Sequence, residues 1–488
     1  MNLCKVLSLF VVFSLLFPAI GLTVSSPIDS LIEDELLKSD INMSEFDRPL
    51  PENPANQYYQ QGILYLRQNK LTEAVDAFNA ALEQEPEHVP TLMALAGIAF
   101  KQNRLEEAIS RGQTAIQLDP ENARWRIALA QILVGQKKIP EAKKQIKTAI
   151  QLDPENARWR IALAQILVAE EKIPQAEKEL QSAVAQAPRS ILPHMALGKL
   201  YYLQGKTEEA LGAYQAAIAI NSQNPEPHLA AVLAYARMQQ FDKALEEADA
   251  LDQILNKIRP RNPVALTLKG ALYVEQKQYD EAIKQFEAAI AKNFRYHQAH
   301  VSLGDVHGQL KNYDAAIESY RNAISVAPNA VRAHMMLGQI YITRGETEQA
   351  REAFEAVVKL TPNVPIAQNN LAWIYAEAEE NLDEAVQLAE AANKLVPGNF
   401  QILDTLGWVY YKKGDYQKAV ESISEAIKVV DKAEAENPAV TKDPSMYYHL
   451  GLAYNGTGNT SKAQEAFKQV LTLNPNFEKA DEIRTMLK

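Results

Sequence analysis

The chain has 488 residues, and its 61 acids against 50 bases give a formal net charge of −11. That balance argues against a general nucleic-acid binder, which shows a basic stripe, and against direct adhesion to an anionic membrane surface. Cys4 is the one cysteine, so no disulfide can form within the chain and no cysteine-rich metal site exists.

Residues 1–21 have the three-part layout of a secretory signal. Lys5 precedes an apolar run over 6–17, Pro18 breaks the run, and Ala19-Ile20-Gly21 supplies small residues for a cut after Gly21. The alternative is an uncleaved anchor, because residues 6–24 carry no charge and approach the ~20 residues of a membrane span. Residues 22–54 form an acidic, proline-containing linker. Asp29, Glu33, Asp34, Glu35, Asp40, Glu45, Asp47 and Glu52 face only Lys38 and Arg48 there. Leu31, Ile32, Leu36, Leu37 and Ile41 permit a short amphipathic helix, and Pro49, Pro51 and Pro54 make a stiff, extended lead toward Ala55.

From residue 55 the chain repeats. The segment 114–134 returns letter for letter as 148–168, a step of 34 residues, and the step continues on both sides with the pattern kept. Twelve repeats start at Ala55, Val89, Ala123, Ala157, Ile191, Pro225, Pro263, His297, Val331, Pro365, Phe400 and Pro444. The twentieth residue of each is alanine, from Ala74 to Ala463, with one residue of slack in the tenth repeat. The eighth is small in all but the sixth, where Val232 breaks the row. Each repeat reads as two helices that cross at these two positions, with prolines such as Pro86, Pro120 and Pro362 ending the second helix. Repeats one to six fill 55–258, repeats seven to eleven 263–433 and repeat twelve 444–477; residues 478–488 read as a capping helix.

Further positions carry a resemblance. The eleventh is often tyrosine (Tyr65, Tyr201, Tyr235, Tyr273, Tyr341, Tyr375, Tyr410, Tyr454), and the twenty-fourth often aromatic (Phe78, Tyr214, Phe286, Tyr320, Phe354, Phe467). With small residues at eight, alanine at twenty and proline near thirty-two, residues 55–477 resemble the tetratricopeptide repeat. The resemblance implies an all-α, right-handed α-solenoid superhelix of stacked helix-turn-helix repeats. Its concave groove would take protein or peptide partners.

On that expectation, Trp373 and Trp408 at the ninth position line the groove, with Tyr411 and Tyr448 facing the same way and Asn369 and Asp404 adding polar groups. This aromatic floor either receives a partner or packs on itself. A second patch joins Met93 and Phe100 with Met195 and Tyr202. The carboxylate clamp of the family is missing, because Tyr59 and Ile63 stand at its two positions. Trp125 and Trp159 read as packing between repeats. His194, His228, His300 and His334 all fall at the fourth position and read as structural, about one hairpin apart and too far to share a metal.

No phosphate-binding, dinucleotide, zinc-protease or nucleophile-elbow motif occurs in the chain. The sequence therefore points to an exported, non-enzymatic scaffold without cofactor, periplasmic or secreted, serving cell-envelope assembly or polysaccharide export. Direct polysaccharide binding through the groove aromatics is the alternative. No nucleic acid is expected, and a membrane only through an uncleaved N-terminal segment.

Overall fold

The computed structural model describes residues 53–437 and 440–487. The signal or anchor and nearly all of the acidic linker lie outside the described residues. Among the described residues there are 25 helices and no strand. They pair in sequence, Pro54–Arg67 with Leu71–Gln84 and so on, as an α-solenoid of helical hairpins. Two compact bodies divide between Pro260 and Arg261. One runs from helix Pro54–Arg67 to helix Phe241–Ile258, the other from Val264–Glu275 to Ala480–Met486.

The alanines at the twentieth position are buried throughout; Ala74, Ala142, Ala282 and Ala350 have no exposed surface. The eighth position is small for a reason the sequence alone did not reveal. A Cβ on Gly62 would lie 2.5 Å from the Phe78 ring, on Gly304 2.6 Å from Tyr320, and on Gly338 2.7 Å from Phe354. In these repeats the limit is therefore the ring at position twenty-four of the same repeat; in repeat eleven a Cβ on Gly407 would meet Ile423 and, at 3.1 Å, the Ala419 backbone carbonyl. Three further repeats trade size between the two positions. Alanine at eight goes with Ile146 or Leu180 at twenty-four in repeats three and four, and Val232 goes with Ala248. Both members of that last pair are fully buried. Close packing tolerates no spare volume, so one side must shrink where the other grows.

Two hydrogen-bond rows and one backbone turn recur along the chain. The residue at the fourth position donates to the carbonyl six residues earlier and ties down the loop before its helix. His194 Nε2 reaches Pro188 O at 3.1 Å, His228 Ser222 O at 3.1 Å, His300 Phe294 O at 2.8 Å and His334 Pro328 O at 3.0 Å. Arg126 and Gln368 do the same at Pro120 O and Pro362 O. The four histidines are thus structural donors, as expected. The eleventh-position tyrosines bind twenty residues back, on the preceding repeat: Tyr375 Oη donates to Glu355 at 3.0 Å, Tyr410 Oη to Glu390 at 2.6 Å, and Arg321 donates to Tyr341 Oη at 2.9 Å. At the fifteenth position the backbone turns left-handed in every repeat, from Asn69 (φ 58°) through Lys277 (φ 59°) to Gly458 (φ 77°). That turn ends each first helix.

Two second helices run long. Phe241–Ile258 has 18 residues and Tyr416–Glu436 has 21, against 14 in Leu71–Gln84. Helix Ala480–Met486 buries Ile483 beside Phe467 and Val470, covering apolar surface of the twelfth repeat. No helix among the described residues is long and apolar enough to cross a membrane.

Candidate functional site

Within residues 53–260, first helices of six successive repeats enclose a cavity of about 820 Å³, within the range of ligand pockets. Its floor is apolar: Met93, Ile127, Trp159 and Leu233 line it. Charge is arranged around that floor. Arg67, Lys101, Arg124, Arg158 and Lys199 line the cavity, with Glu226 as the one acid among its lining residues. The repeat produces this by register. Arg124 and Arg158 hold the second position of their helices, one residue inside helices capped by Asn122 and Asn156. Gln131 and Gln165 stand two turns further on, beside the same space. A chain of net negative charge thus carries a basic-walled, apolar-floored recess.

Of the second sequence patch, Met93, Phe100 and Met195 line this cavity and Tyr202 does not. The Arg237 guanidinium lies 4.9 Å from the centre of the Tyr202 ring and donates to the Tyr202 carbonyl at 2.8 Å, engaging that ring elsewhere. Trp159 is buried between repeats, as expected, yet also forms part of the cavity wall. Its indole Nε1 donates to Asp153 Oδ2 at 3.2 Å, and Trp125 repeats the bond to Asp119 at 3.0 Å. The cavity cations were not visible in the sequence, since each looks like an ordinary solvated charge until five helices bring them together. Their shared signal was register, at the second, ninth and thirteenth positions.

Within residues 261–487 the aromatic floor is partly closed by its own packing. Trp408 is buried, and its ring stacks at 6.1 Å on Trp373, at 5.1 Å on Tyr411 and at 4.3 Å on His449. Trp408 Nε1 donates to Glu377 Oε1 at 2.6 Å, and the Lys412 ammonium lies 5.1 Å from the Trp408 ring centre. Tyr448 packs against Phe467 and Phe477 instead, at 6.2 Å and 5.6 Å. Asn369 is buried with its Oδ1 unbonded among the described residues. Asp404 accepts from His449 Nδ1, 3.1 Å from both carboxylate oxygens. These rings pack on one another, with Trp408 buried and Trp373, Tyr411 and Tyr448 half-buried. Burial opposes a charge on His449, but Asp404 outweighs it with help from Asp443 and Glu377, so the imidazole pKa lies above its ordinary value. His449 was missed in the sequence because the sixth position of a repeat carries no recurring chemistry.

Family models described as tetratricopeptide repeat match residues 59–123, 267–330, 301–365 and 335–400, residues 99–150 and 133–200, and residues 400–429 and 444–477. A TPR repeat model matches 198–239. Among curated proteins, the chain is 33% identical over 87 residues to the general transcriptional corepressor ssn6 of Schizosaccharomyces pombe, covering 18% of this chain. It is 30% identical over 105 residues to the general transcriptional corepressor trfA of Dictyostelium discoideum, covering 22% of this chain. The chain spans about 7% of the length of each of these relatives. Among solved structures, the APC/C hetero-tetramer Cut9-Hcn1 aligns with 96% of this chain and 99% of its own at 14% identity and a TM-score of 0.36. Pseudomonas aeruginosa pilF aligns with 42% of this chain and 92% of its own at 22% identity and a TM-score of 0.35. With repeat models matching along most of the described chain and helical hairpins filling both bodies, the chain belongs to the tetratricopeptide repeat family.

Proposed function

We propose that this chain is a non-enzymatic scaffold that holds acidic, partly apolar segments of partner proteins in the cavity of residues 53–260. The observation that carries the reading is the cavity lining: five bases and one acid around an apolar floor. Charge complementarity of that kind sets specificity and speeds encounter, while apolar burial holds the complex. Of the four rings on which the direct polysaccharide reading rests, Trp408 is stacked and buried.

The test is fluorescence anisotropy of the full chain with a panel of labelled peptides, acidic and basic, of matched apolar content. Acidic peptides should bind at micromolar concentration. Arg124→Glu with Arg158→Glu should weaken them at least tenfold. Gly97→Phe should block the cavity without disturbing the fold, because a Cβ at Gly97 meets no atom within 4 Å. Equal binding of acidic and basic peptides, or binding indifferent to all three substitutions, would refute the proposal. Export to the periplasm or outside the cell, with a role in envelope assembly or polysaccharide export, is supported by the layout of residues 1–21. Fractionation and sequencing of the mature N-terminus test it; intact Met1 on a cytosolic protein would end that part of the proposal.

A further inference from the structure

The cavity has a second property when set beside the chain that precedes it. Residues 29–41 contain Asp29, Glu33, Asp34, Glu35 and Asp40 against Lys38 alone. Between the acids stand Leu31, Ile32, Leu36, Leu37 and Ile41. This is the chemistry the cavity selects: carboxylates for its wall and aliphatic side chains for its floor. We infer that residues 29–41 of this same chain occupy the cavity of residues 53–260 and compete there with partner segments. The inference rests on the reading of that cavity as a peptide-binding surface and names its resident occupant.

The tether allows it. Asn53 accepts from the Asn56 backbone N–H at 2.7 Å and starts helix Pro54–Arg67, whose last turn places Leu66 and Arg67 in the cavity lining. That helix of 14 residues is about 21 Å long. Ile41 precedes Asn53 by twelve residues, which reach about 40 Å when extended. Pro49, Pro51 and Pro54 favour an extended connection, so the segment can return along the first helix to the recess. A segment on so short a tether acts at an effective concentration on the order of millimolar. A weak intrinsic affinity is then enough to fill the site, and a free partner's apparent affinity falls by the fraction of cavities left open.

Crosslinking in the full chain tests this, on a Cys4→Ser background that leaves no native thiol. Leu37→Cys is combined with Gln131→Cys, in the cavity lining, or with Lys147→Cys, exposed on a second helix outside that lining. Mild oxidation should give an intramolecular disulfide with Gln131→Cys at least fivefold faster than with Lys147→Cys. Raising salt from 0.05 to 0.5 M, or adding Glu33→Lys, Asp34→Lys and Glu35→Lys, should remove the difference. The same triple substitution should let the full chain bind a labelled peptide copy of residues 27–44 about tenfold more tightly than the unaltered chain does. Equal rates at the two sites, or crosslinks formed only between chains, would overturn the inference. If the peptide copy binds neither chain while other acidic peptides bind, the inference falls and the scaffold reading stands. If no acidic peptide binds, both fall.

Discussion

Gly270→Ala tests the size rule that packs each hairpin. The new Cβ would lie 2.5, 2.7 and 2.8 Å from three carbons of the Phe286 ring. Ordinary carbon contacts sit at about 3.5–4.0 Å, so the ring must retreat by roughly 1 Å. Phe286 is fully buried in a cluster with Ala282, Leu303 and Val306, which leaves it nowhere to retreat. Overpacking of this kind costs about 1–3 kcal/mol, and the gain in helix propensity from glycine to alanine offsets about 1 kcal/mol of it. Phe286→Leu alone should cost about 1–2 kcal/mol through the space it leaves. The double variant rebuilds the pairing of Ala164 with Leu180 and should be more stable than Phe286→Leu by about 1 kcal/mol, because the alanine propensity gain is no longer opposed. Hydrogen exchange over Val264–Glu275 and Tyr279–Lys292 is the assay, since a repeat array does not unfold as one two-state unit. A difference of 1 kcal/mol appears there as about a fivefold change in protection. If Gly270→Ala destabilises equally with Phe or Leu at 286, the clash is not with the ring and the size rule is wrong.

Other outcomes rest on the same contacts. Lys277→Gly should stabilise its hairpin by about 0.5–1 kcal/mol, because residue 277 holds a left-handed φ of 59° that glycine adopts without strain; a fall in melting temperature would contradict this. His300→Leu should cost about 1 kcal/mol by leaving the Phe294 carbonyl unbonded, and His300→Gln should restore most of it, as Gln368 serves at the same position; exchange at residues 294–296 reads the difference. His449 has a folded pKa above its ordinary 6.5, so its contribution is complete below pH 6.5 and is lost as pH rises through the folded value. Protection of helix Pro444–Gly456 should therefore decline with rising pH across that interval, and His449→Gln should flatten the profile; an unchanged slope would remove Asp404 as the cause.

The hairpins were legible because their signal is periodic. Twelve alanines at one register position are enough to place paired helices, and each of them is buried. The site was legible only in part. Register assigns a face, and it put Met93, Phe100 and Met195 around the recess that the structure shows. It does not report whether neighbouring rings leave room between them, and so it left open whether Trp373, Trp408 and Tyr411 receive a partner or stack on one another, as they do. Nor does it sum charges from distant repeats. Arg67 and Lys199 stand more than a hundred residues apart, and only the stacking brings them to one cavity.

The pair at positions eight and twenty-four lies inside a single repeat, whereas the tyrosine at eleven reaches back into the one before. A genetic duplication or deletion of one complete 34-residue period, such as the step between the identical segments 114–134 and 148–168, therefore keeps every eighth residue with its own partner at twenty-four. Only one tyrosine seam per event must find a new neighbour. Extra residues placed between positions eight and twenty-four would part the pair, whereas the long helices Phe241–Ile258 and Tyr416–Glu436 carry theirs beyond position twenty-four and leave it intact, so the molecule tolerates added length at the ends of hairpins and not within them.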